Sequence, residues 1–464
     1  MSGPGVVIAL HGKRLLQAWI RAPEGVMSAF TRFTAMTTVG AGVAAFVIPM
    51  AVIVPAAADP CSVPTPDASA RGIAPSALPK LPVLHLPIGR KPGAVANPDN
   101  LTPAQADAAV APNTVARAAA APVASKATRV DWIVGPETNS YNRFGISGTD
   151  LGIVWDNGST TNPQVLMVFG DTFGNCNVAD QEWRKNVLLR SADRNLADGI
   201  RIPEPKSGDV YAGSPVAQER SNFSRQVIAS LRLAATEVTV IPTAAISVGT
   251  RQFVNFMSVS QWGNPGQWST NFSAVAVSDD NGETWTVPVT SIRPSWFNTV
   301  PGVPFVWGYQ NFQMGAYLRS GGYVYNYGTG AGRGGMPFLA RVPENSVANN
   351  SAYEYYTPFG WVRNMPFLAI QVVWAPGSEM SVAWNEHLKK FIMLYTNTVN
   401  NVVMRTADKP EGPWSSAKTI VNTTEVPGGI YAPFIHPWSS GSDLYFTLSV
   451  WDTYSVMLMR ASLD

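Results

Sequence analysis

Two aspartates stand in short motifs that contain glycine. Asp150 lies in residues 148–152 (GTDLG), and Asp171 lies in residues 169–173 (FGDTF). Each motif borders an apolar run, so we expect the first acid to begin a β-strand and the second to end the neighbouring strand. Two carboxylates at one end of paired strands can serve one substrate as acid and base, as glycoside hydrolysis commonly requires. The alternative is that both acids cap tight turns.

Further polar and aromatic residues are candidates for the same site. Glu379 begins a later predicted strand, where it acts as a general acid, holds a sugar hydroxyl, or is only a strand-edge charge. Exposed tryptophans could stack on the C–H faces of sugars, although an ordinary β core also uses them. The predicted substrate-binding residues are Gln310, Asn311, His436, Asp452, Trp262 and Trp307.

Several other function classes find little support in the sequence. The net charge of +2 is too small for a nucleic-acid-binding protein. The motif Gly328-x-Gly330-x-x-Arg333 lacks the third glycine of a dinucleotide loop. The chain has 2 cysteines and 4 histidines, without a C-x-x-C pair, so we predict no metal site and no cofactor. A structural Ca²⁺ cannot be inferred from sequence, and Cys61 and Cys176 are either bridged or free.

The composition predicts an all-β protein. Hydrophobic residues make up 46% and charged residues 14% of the 464-residue chain, with 39 Gly and 37 Pro. This balance suits short strands and tight turns better than a helical bundle. From residue 130 onward, an apolar strand followed by a short turn that ends in an acid recurs. Five copies at this spacing predict a five-bladed β-propeller with four strands in each blade. The recurring acids are Asp193, Asp280, Glu344, Asp408 and Asp464.

The second copy of this element and the closure of the ring give further structural expectations. Residues 278–285 (SDDNGETW) match the Asp-box of sialidase-like propellers, in which the Asp accepts turn amides and the Gly takes a positive φ. We therefore assign this motif a structural role. The last copy leaves the fifth blade one strand short. Residues 129–134 are predicted to supply that strand by pairing with residues 456–460.

The first part of the chain predicts export. Residues 33–58 carry no charge, follow a basic stretch and end in small residues, so residues 1–58 are predicted to be a signal peptide or an uncleaved membrane anchor. Residues 59–128 are rich in Ala and Pro and predict a flexible linker. Residues 129–464 form the predicted propeller. We expect a secreted or cell-envelope monomer outside the cytoplasmic membrane, attached to it only through the first segment.

Four motifs together resemble an actinobacterial family that was long classed as a domain of unknown function and is now associated with endo-D-arabinanases. They are residues 148–152, 169–173, 378–385 (SEMSVAWN) and 431–437 (YAPFIHP). The resemblance extends over roughly residues 130–464. It implies a five-bladed propeller, secretion, and hydrolysis of the D-arabinan in arabinogalactan and lipoarabinomannan. Asp150 and Asp171 match the acids that would be catalytic.

The sequence therefore predicts an endo-acting glycoside hydrolase whose catalytic acids are Asp150, Asp171 and Glu379, and whose partner is a cell-wall polysaccharide. The alternative is a non-catalytic propeller that binds carbohydrate or the cell wall. The position of the three acids distinguishes the two hypotheses. A hydrolase requires them at one mouth of the propeller, whereas a binding module would place aromatic residues there with at most one acid.

Overall fold

The computed structural model describes Cys61 and residues 126–464. These residues form strands, one short helix and several 3₁₀ turns. The strands are β1 (Thr128–Val134), β2 (Gly148–Asp156), β3 (Val165–Phe173), β4 (Val187–Ser191), β5 (Val216–Ala217), β6 (Arg220–Ser224), β7 (Thr239–Val248), β8 (Arg251–Trp262), β9 (Trp268–Ser278), β10 (Arg293–Pro294), β11 (Tyr317–Ser320), β12 (Tyr323–Gly328), β13 (Phe338–Pro343), β14 (Glu354–Thr357), β15 (Gly360–Arg363), β16 (Ser381–Asn385), β17 (Lys390–Thr396), β18 (Val402–Ala407), β19 (Lys418–Val421), β20 (Ile430–Ile435), β21 (Asp443–Val450) and β22 (Ser455–Ser462). The helix is α1 (Ser140–Phe144), and the 3₁₀ turns are Leu196–Asp198, Val289–Ser291, Tyr309–Phe312, Glu344–Ser346, Asn350–Ala352, Pro366–Leu368 and Thr423–Glu425.

Five antiparallel sheets form the blades, and the predicted five-bladed all-β propeller is confirmed. Their strand orders are β2-β3-β4, β7-β8-β9-β10, β11-β12-β13-β14-β15, β16-β17-β18-β19 and β20-β21-β22-β1. The first strand of each blade touches the first strands of the two neighbouring blades, so β2, β7, β11, β16 and β20 form a closed inner ring. We call the end where these inner strands begin the mouth. The loops that join the second strand of each blade to the third also lie there.

The ring closes as the sequence predicts. Strand β1 pairs antiparallel with β22, with Arg129 opposite Met459 and Val134 opposite Val456. The outermost strand of the last blade thus comes from the other end of the propeller sequence. This pairing satisfies backbone groups that would otherwise form an open edge.

The repeated acids mark the same place in every blade. Each lies within two residues of the end of a third strand, namely β4, β9, β13, β18 or β22. At the Asp-box, the Asp280 carboxylate accepts hydrogen bonds from the Thr284 amide (2.8 Å) and hydroxyl (2.6 Å). Gly282 has φ +81°, and a Cβ there would lie 2.5 Å from the Leu188 side chain of the first blade. The motif therefore stabilises a turn and a contact between blades.

The blades differ in strand number, which corrects the prediction of four strands in each. The first blade has three strands and the third has five. After β4 the chain forms the separate β5–β6 hairpin instead of a fourth strand. Residues Pro203, Pro205 and Pro215 occur in this stretch, and proline cannot donate to a strand ladder.

The centre of the ring is nearly filled. A cavity of about 50 Å³ lies between the five inner strands, with a lining that includes Ile153, Thr243, Tyr317, Val382 and Phe434. A space of this size holds small molecules of the order of water, so any larger ligand must bind at an end of the ring.

The N-terminal predictions lie outside the described residues, apart from Cys61 and residues 126–128. Strand β1 begins at Thr128, one residue before the predicted start of the propeller. Cys61 forms a disulfide with Cys176, with 5.0 Å between the Cα atoms. The bridge connects the preceding segment to the mouth loop between β3 and β4. Within the described part of the chain, no helix combines the length and apolar character needed to cross a membrane.

Candidate active site

A β-bulge brings Asp150 and Asp171 together at the mouth. Between flanking ladder pairs, Asp150 of β2 faces two residues of β3, Gly170 and Asp171. Leu151 and Gly152 both have left-handed backbone conformations, with φ +69° and +73°. Such a bulge redirects a side chain without ending the strand. A Cβ on Gly170 would lie 2.4 Å from Asp150 Oδ1, so a side chain at this position would displace the Asp150 carboxyl.

Asp150 is buried, with 8% of its surface exposed. Its Oδ2 accepts a hydrogen bond from the Tyr431 hydroxyl at 3.0 Å. Its Oδ1 is fully buried and has no hydrogen-bond partner among the described residues. Burial raises the pKa of Asp150 well above 3.8, and the charges of Asp171 and Glu379 raise it further. The hydrogen bond from Tyr431 and the charge of Arg333 lower it, but by less. The surroundings of Asp150 therefore favour its protonated form.

Asp171 accepts more hydrogen bonds from protein side chains than Asp150 does. Its Oδ1 accepts hydrogen bonds from the Thr239 hydroxyl (2.7 Å) and the Trp183 indole N–H (3.0 Å). Burial raises its pKa from 3.8 to about 6, while these two donors and the charge of Lys185 lower it. The Asp171 carboxyl is thus mostly ionised above about pH 6, whereas the surroundings of Asp150 favour its protonated form. Environments that separate the pKa values of two neighbouring carboxyls are typical of acid–base pairs.

Glu379 lies at the entry to the inner strand of the fourth blade, in a left-handed conformation with φ +54°. It forms a bidentate ion pair with Arg333, with N–O distances of 2.9 and 3.0 Å. Arg333 comes from the mouth loop of the third blade, and its guanidinium lies 4.6 Å from the centre of the Tyr431 ring. The Trp451 and Trp268 rings lie 5.8 and 6.0 Å away. The carboxylate and the three rings fix the position of this cation.

The three predicted acids therefore share one mouth. Asp150 and Asp171 come from the first blade and Glu379 from the fourth, and the charges of both Asp171 and Glu379 act on Asp150. This is the arrangement by which we distinguish a hydrolase from a binding module. The catalytic roles of the three acids stay predictions.

A group of exposed aromatic residues, which we call the aromatic rim, lies on the mouth loop that leads from β10 to β11. Its members are Trp296, Phe297, Phe305 and Trp307, whose neighbouring ring centres are 4.7–5.8 Å apart. Three of them are about half exposed: Trp296 (52%), Phe297 (51%) and Trp307 (52%). The same loop approaches the Arg333 loop, because the Gln310 carbonyl lies 3.4 Å from the position of a Cβ on Gly330.

The other predicted binding residues, apart from His436, also lie at the mouth. Trp262 is 45% exposed, and its ring packs edge-on against Trp268, with 5.8 Å between the ring centres. Gln310 and Asn311 belong to the 3₁₀ turn that follows the aromatic rim. Gln310 Oε1 accepts a hydrogen bond from the Gly308 amide. Asp452 is exposed on the mouth loop of the fifth blade.

His436 does not reach the mouth, which corrects its predicted place in the substrate site. It follows the last residue of β20, at the opposite end of the inner strand, and it is fully buried. Its Nδ1 accepts a hydrogen bond from the Trp438 amide (3.2 Å), and the Trp438 indole donates to Asp156 at the far end of β2. Burial lowers the pKa of His436 to about 3, so it is a neutral core residue.

Several residues of the site escaped the sequence prediction. Arg333 occurs in the glycine motif that we examined only as a nucleotide loop. Tyr431 opens one of the four family-like motifs but carried no predicted role. The carbonyl of Tyr454 accepts a hydrogen bond from the Thr149 amide. Burial raises the pKa of Tyr454, and the nearby charges of Asp150 and Asp171 raise it further. Trp183 and Thr239 show no sequence signal that links them to Asp171.

Two observations concern other kinds of site. In the described range, no three His, Cys, Asp or Glu side chains are grouped in a way that could hold a metal ion. A cavity of about 530 Å³ lies beside the closing strand, with a lining that includes Arg129, Trp132 and Glu425. None of the predicted site residues lines this cavity, so its larger size does not make it the candidate active site.

The fold and the acid-lined mouth define a class of five-bladed β-propellers. Within that class the chain belongs to the family described as a domain of unknown function, DUF4185, whose model matches residues 136–460. Among curated proteins it is similar to the notoamide biosynthesis cluster protein J of Aspergillus sp. (strain MF297-2), with 28% identity over 336 residues, covering 70% of this chain and 85% of that protein. Protein J′ of Aspergillus versicolor is 27% identical over 338 residues, covering 70% and 86%.

Solved structures with a related arrangement include two glycosidases. A glycosyl hydrolase from Bacteroides ovatus aligns with a TM-score of 0.41 and 10% identity, covering 74% of this chain and 94% of that one. The catalytic domain of a GH62 α-L-arabinofuranosidase from Coprinopsis cinerea aligns with a TM-score of 0.41 and 10% identity, covering 74% and 98%.

Proposed function

We propose that this protein is an exported, endo-acting glycoside hydrolase that cleaves D-arabinofuranosyl linkages in cell-wall arabinan, such as that of arabinogalactan and lipoarabinomannan. The observation that carries the proposal is the pair of neighbouring carboxyls at the mouth, where burial raises the pKa of Asp150 well above 3.8 and that of Asp171 to about 6. The substrate class rests on the family resemblance of the motifs that hold both acids.

The unequal pKa shifts of the two acids suggest a division of roles. Asp150 would donate its proton to the glycosidic oxygen as the bond between that oxygen and the anomeric carbon breaks. Asp171 would supply the negative charge on the other side of the reaction, either by taking a proton from the attacking water or by attacking the anomeric carbon itself. Glu379 would act through Arg333 as a positioning residue, because its carboxylate is occupied by the guanidinium.

The surroundings of the acids suit a polymeric substrate. The aromatic rim and Trp262 present exposed rings on the same face as the acids. Such rings can stack on the C–H faces of several successive sugars. A surface that contacts several successive sugars would favour cleavage within a chain over removal of its terminal residue.

The alternative, a non-catalytic carbohydrate-binding propeller, accounts less well for the acids. Burying one carboxyl beside another lowers stability, and binding a neutral sugar does not require it. Export is also part of the proposal, and the disulfide between Cys61 and Cys176 supports it, since such bonds persist mainly in oxidising compartments.

The first test is the product pattern from purified arabinogalactan. We expect the wild-type chain to release mixed oligosaccharides early, and Asp150→Asn to release them at least about a hundredfold more slowly. Free arabinose as the sole early product would contradict endo-cleavage. No release of sugar, together with measurable binding of the polymer, would favour the carbohydrate-binding alternative.

The second test separates the roles of the two acids. With a 4-nitrophenyl arabino-oligosaccharide, the leaving group needs little protonation, so Asp150→Asn should lose much less activity than it loses on the polymer. Asp171→Asn should be equally impaired on both substrates, and added azide should restore part of its activity. The opposite pattern would reverse the assignment, and near-full activity of either variant would make that residue a turn acid.

A further inference from the structure

The guanidinium of Arg293 is a buried cation that forms no well-formed hydrogen bond among the described residues. It lies in β10, the outermost strand of the second blade, and only 1% of its surface is exposed. All three guanidinium nitrogens are buried, and none donates a well-formed hydrogen bond within the described part of the chain. It also forms no ion pair there with a carboxylate.

Another buried arginine of the same propeller shows the usual solution. Arg190 is fully buried, yet its Nε and Nη1 donate to the carbonyls of Asn281 (3.0 Å) and Ala212 (3.1 Å). Its Nη2 pairs with the Glu283 carboxylate at 2.8 Å. The fold thus provides hydrogen-bond acceptors for all three nitrogens of one buried guanidinium. The lack of such acceptors around Arg293 is therefore not a general property of this propeller.

Tyrosines surround Arg293 where the second and third blades meet. Its guanidinium lies 4.6 Å from the centre of the Tyr353 ring. The hydroxyls of Tyr317 and Tyr355 are buried and form no well-formed hydrogen bond in the described chain, although Tyr317 lies beside Tyr353 and Tyr355 beside Arg293. Burial raises the pKa of both tyrosines, so they are neutral and can donate hydrogen bonds.

The charge of Arg293 therefore lacks an anionic partner among the residues that the structure describes. Arginine does not lose its proton in proteins, and an uncompensated buried charge destabilises the fold. The contact with Tyr353 offsets only part of this cost. The buried Asn350 Oδ1 is a further unpartnered acceptor near β10, since the Asn350 amide donates to the Ile292 carbonyl, but it carries no charge.

We infer that Arg293, Tyr317 and Tyr355 form a buried site for a small monovalent anion of the chloride type. One positive charge is neutralised by one negative charge. The available groups around it include guanidinium N–H and two phenolic O–H donors, which a halide can accept without offering a proton. The site is separate from the acids at the mouth, and the inference does not depend on the proposed enzymatic activity.

The site also has a structural consequence. The carbonyl of Arg293 accepts a hydrogen bond from Gln313 Nε2 at 3.1 Å, and the aromatic rim begins three residues after Arg293. A bound anion would therefore stabilise both ends of the loop that carries the rim.

Bromide is a suitable probe, because its anomalous scattering identifies it in a crystal. Crystals of the full chain grown in sodium bromide should show an anomalous peak next to the Arg293 guanidinium and the hydroxyls of Tyr317 and Tyr355. In solution, replacing gluconate with chloride or bromide at constant ionic strength should raise the melting temperature by roughly 2–4 °C.

Two matched tyrosine variants of the third blade test the donors. Tyr355→Phe should lose most of the halide-dependent rise. Tyr327→Phe is the control, because the Tyr327 hydroxyl is buried but donates to the Pro410 carbonyl; it should lose stability equally in every salt and keep the rise. Arg293→Met should abolish the rise. An absent bromide peak at Arg293, or an equal rise in wild type and Tyr355→Phe, would overturn the inference.

Discussion

Replacing Asp171 with asparagine should make the protein more stable at neutral pH while it removes most of the activity. The Asp171 Oδ1 accepts both of the hydrogen bonds that position this side chain, from Thr239 and Trp183. An asparagine can present its own Oδ1 to the same donors. The substitution therefore removes the buried charge and leaves the local hydrogen bonds in place.

The magnitude follows from the pKa of Asp171, which rises from 3.8 to about 6 in the folded protein. The folded state thus binds the proton more tightly than the unfolded chain, and stability falls as the pH rises from about 4 through 6. At 1.36 kcal/mol per pKa unit this amounts to about 3 kcal/mol at pH 7. Because the side chain is partly exposed, solvent screening reduces the expected gain to about 1–3 kcal/mol.

Urea unfolding of wild type and Asp171→Asn at pH 4 and pH 7.5 measures this effect. The variant should gain stability at pH 7.5 and little at pH 4, while its activity on arabinan falls at least about a hundredfold. Asp452→Asn removes an exposed mouth carboxylate and serves as the control, with a change within about 0.5 kcal/mol. Lower stability of Asp171→Asn at pH 7.5, or an equal gain at both pH values, would refute the reasoning.

Two further predictions concern residues around the acids. Arg333→Gln removes a positive charge that lowers the pKa of Asp150. The alkaline limb of the pH profile of kcat/KM should therefore move to higher pH. An unchanged limb would show that Asp150 is not the general acid. Replacing both Trp296 and Trp307 with alanine should raise the KM for long arabinan by about tenfold, since each aromatic contact contributes about 0.5–1.5 kcal/mol, and should spare short aryl substrates. Trp384→Ala, an exposed ring at the opposite end of the propeller, should change neither; an equal loss on short substrates would instead indicate a structural role for the rim.

Local patterns were enough to predict the architecture. The repeated strand and acid identified the third strand of every blade, and the missing strand at the end of the last blade identified β1 as the closing strand. Both features depend on hydrophobic alternation and turn chemistry within a few residues, which are visible in any sequence. The strand count of individual blades was less predictable, because short or absent outer strands leave little pattern.

The candidate site divides in the same way. The sequence by itself determined that Asp150 and Asp171 lie close together, because both acids stand next to glycines at neighbouring strand ends of one blade. Only the tertiary structure could place Tyr431 against Asp150 across a separation of 281 residues, pair Arg333 with Glu379, and put His436 at the other end of its strand. These contacts depend on how five separate sheets pack around one axis, and the hydrophobic packing that sets this arrangement leaves no signal in the spacing of the residues it brings together.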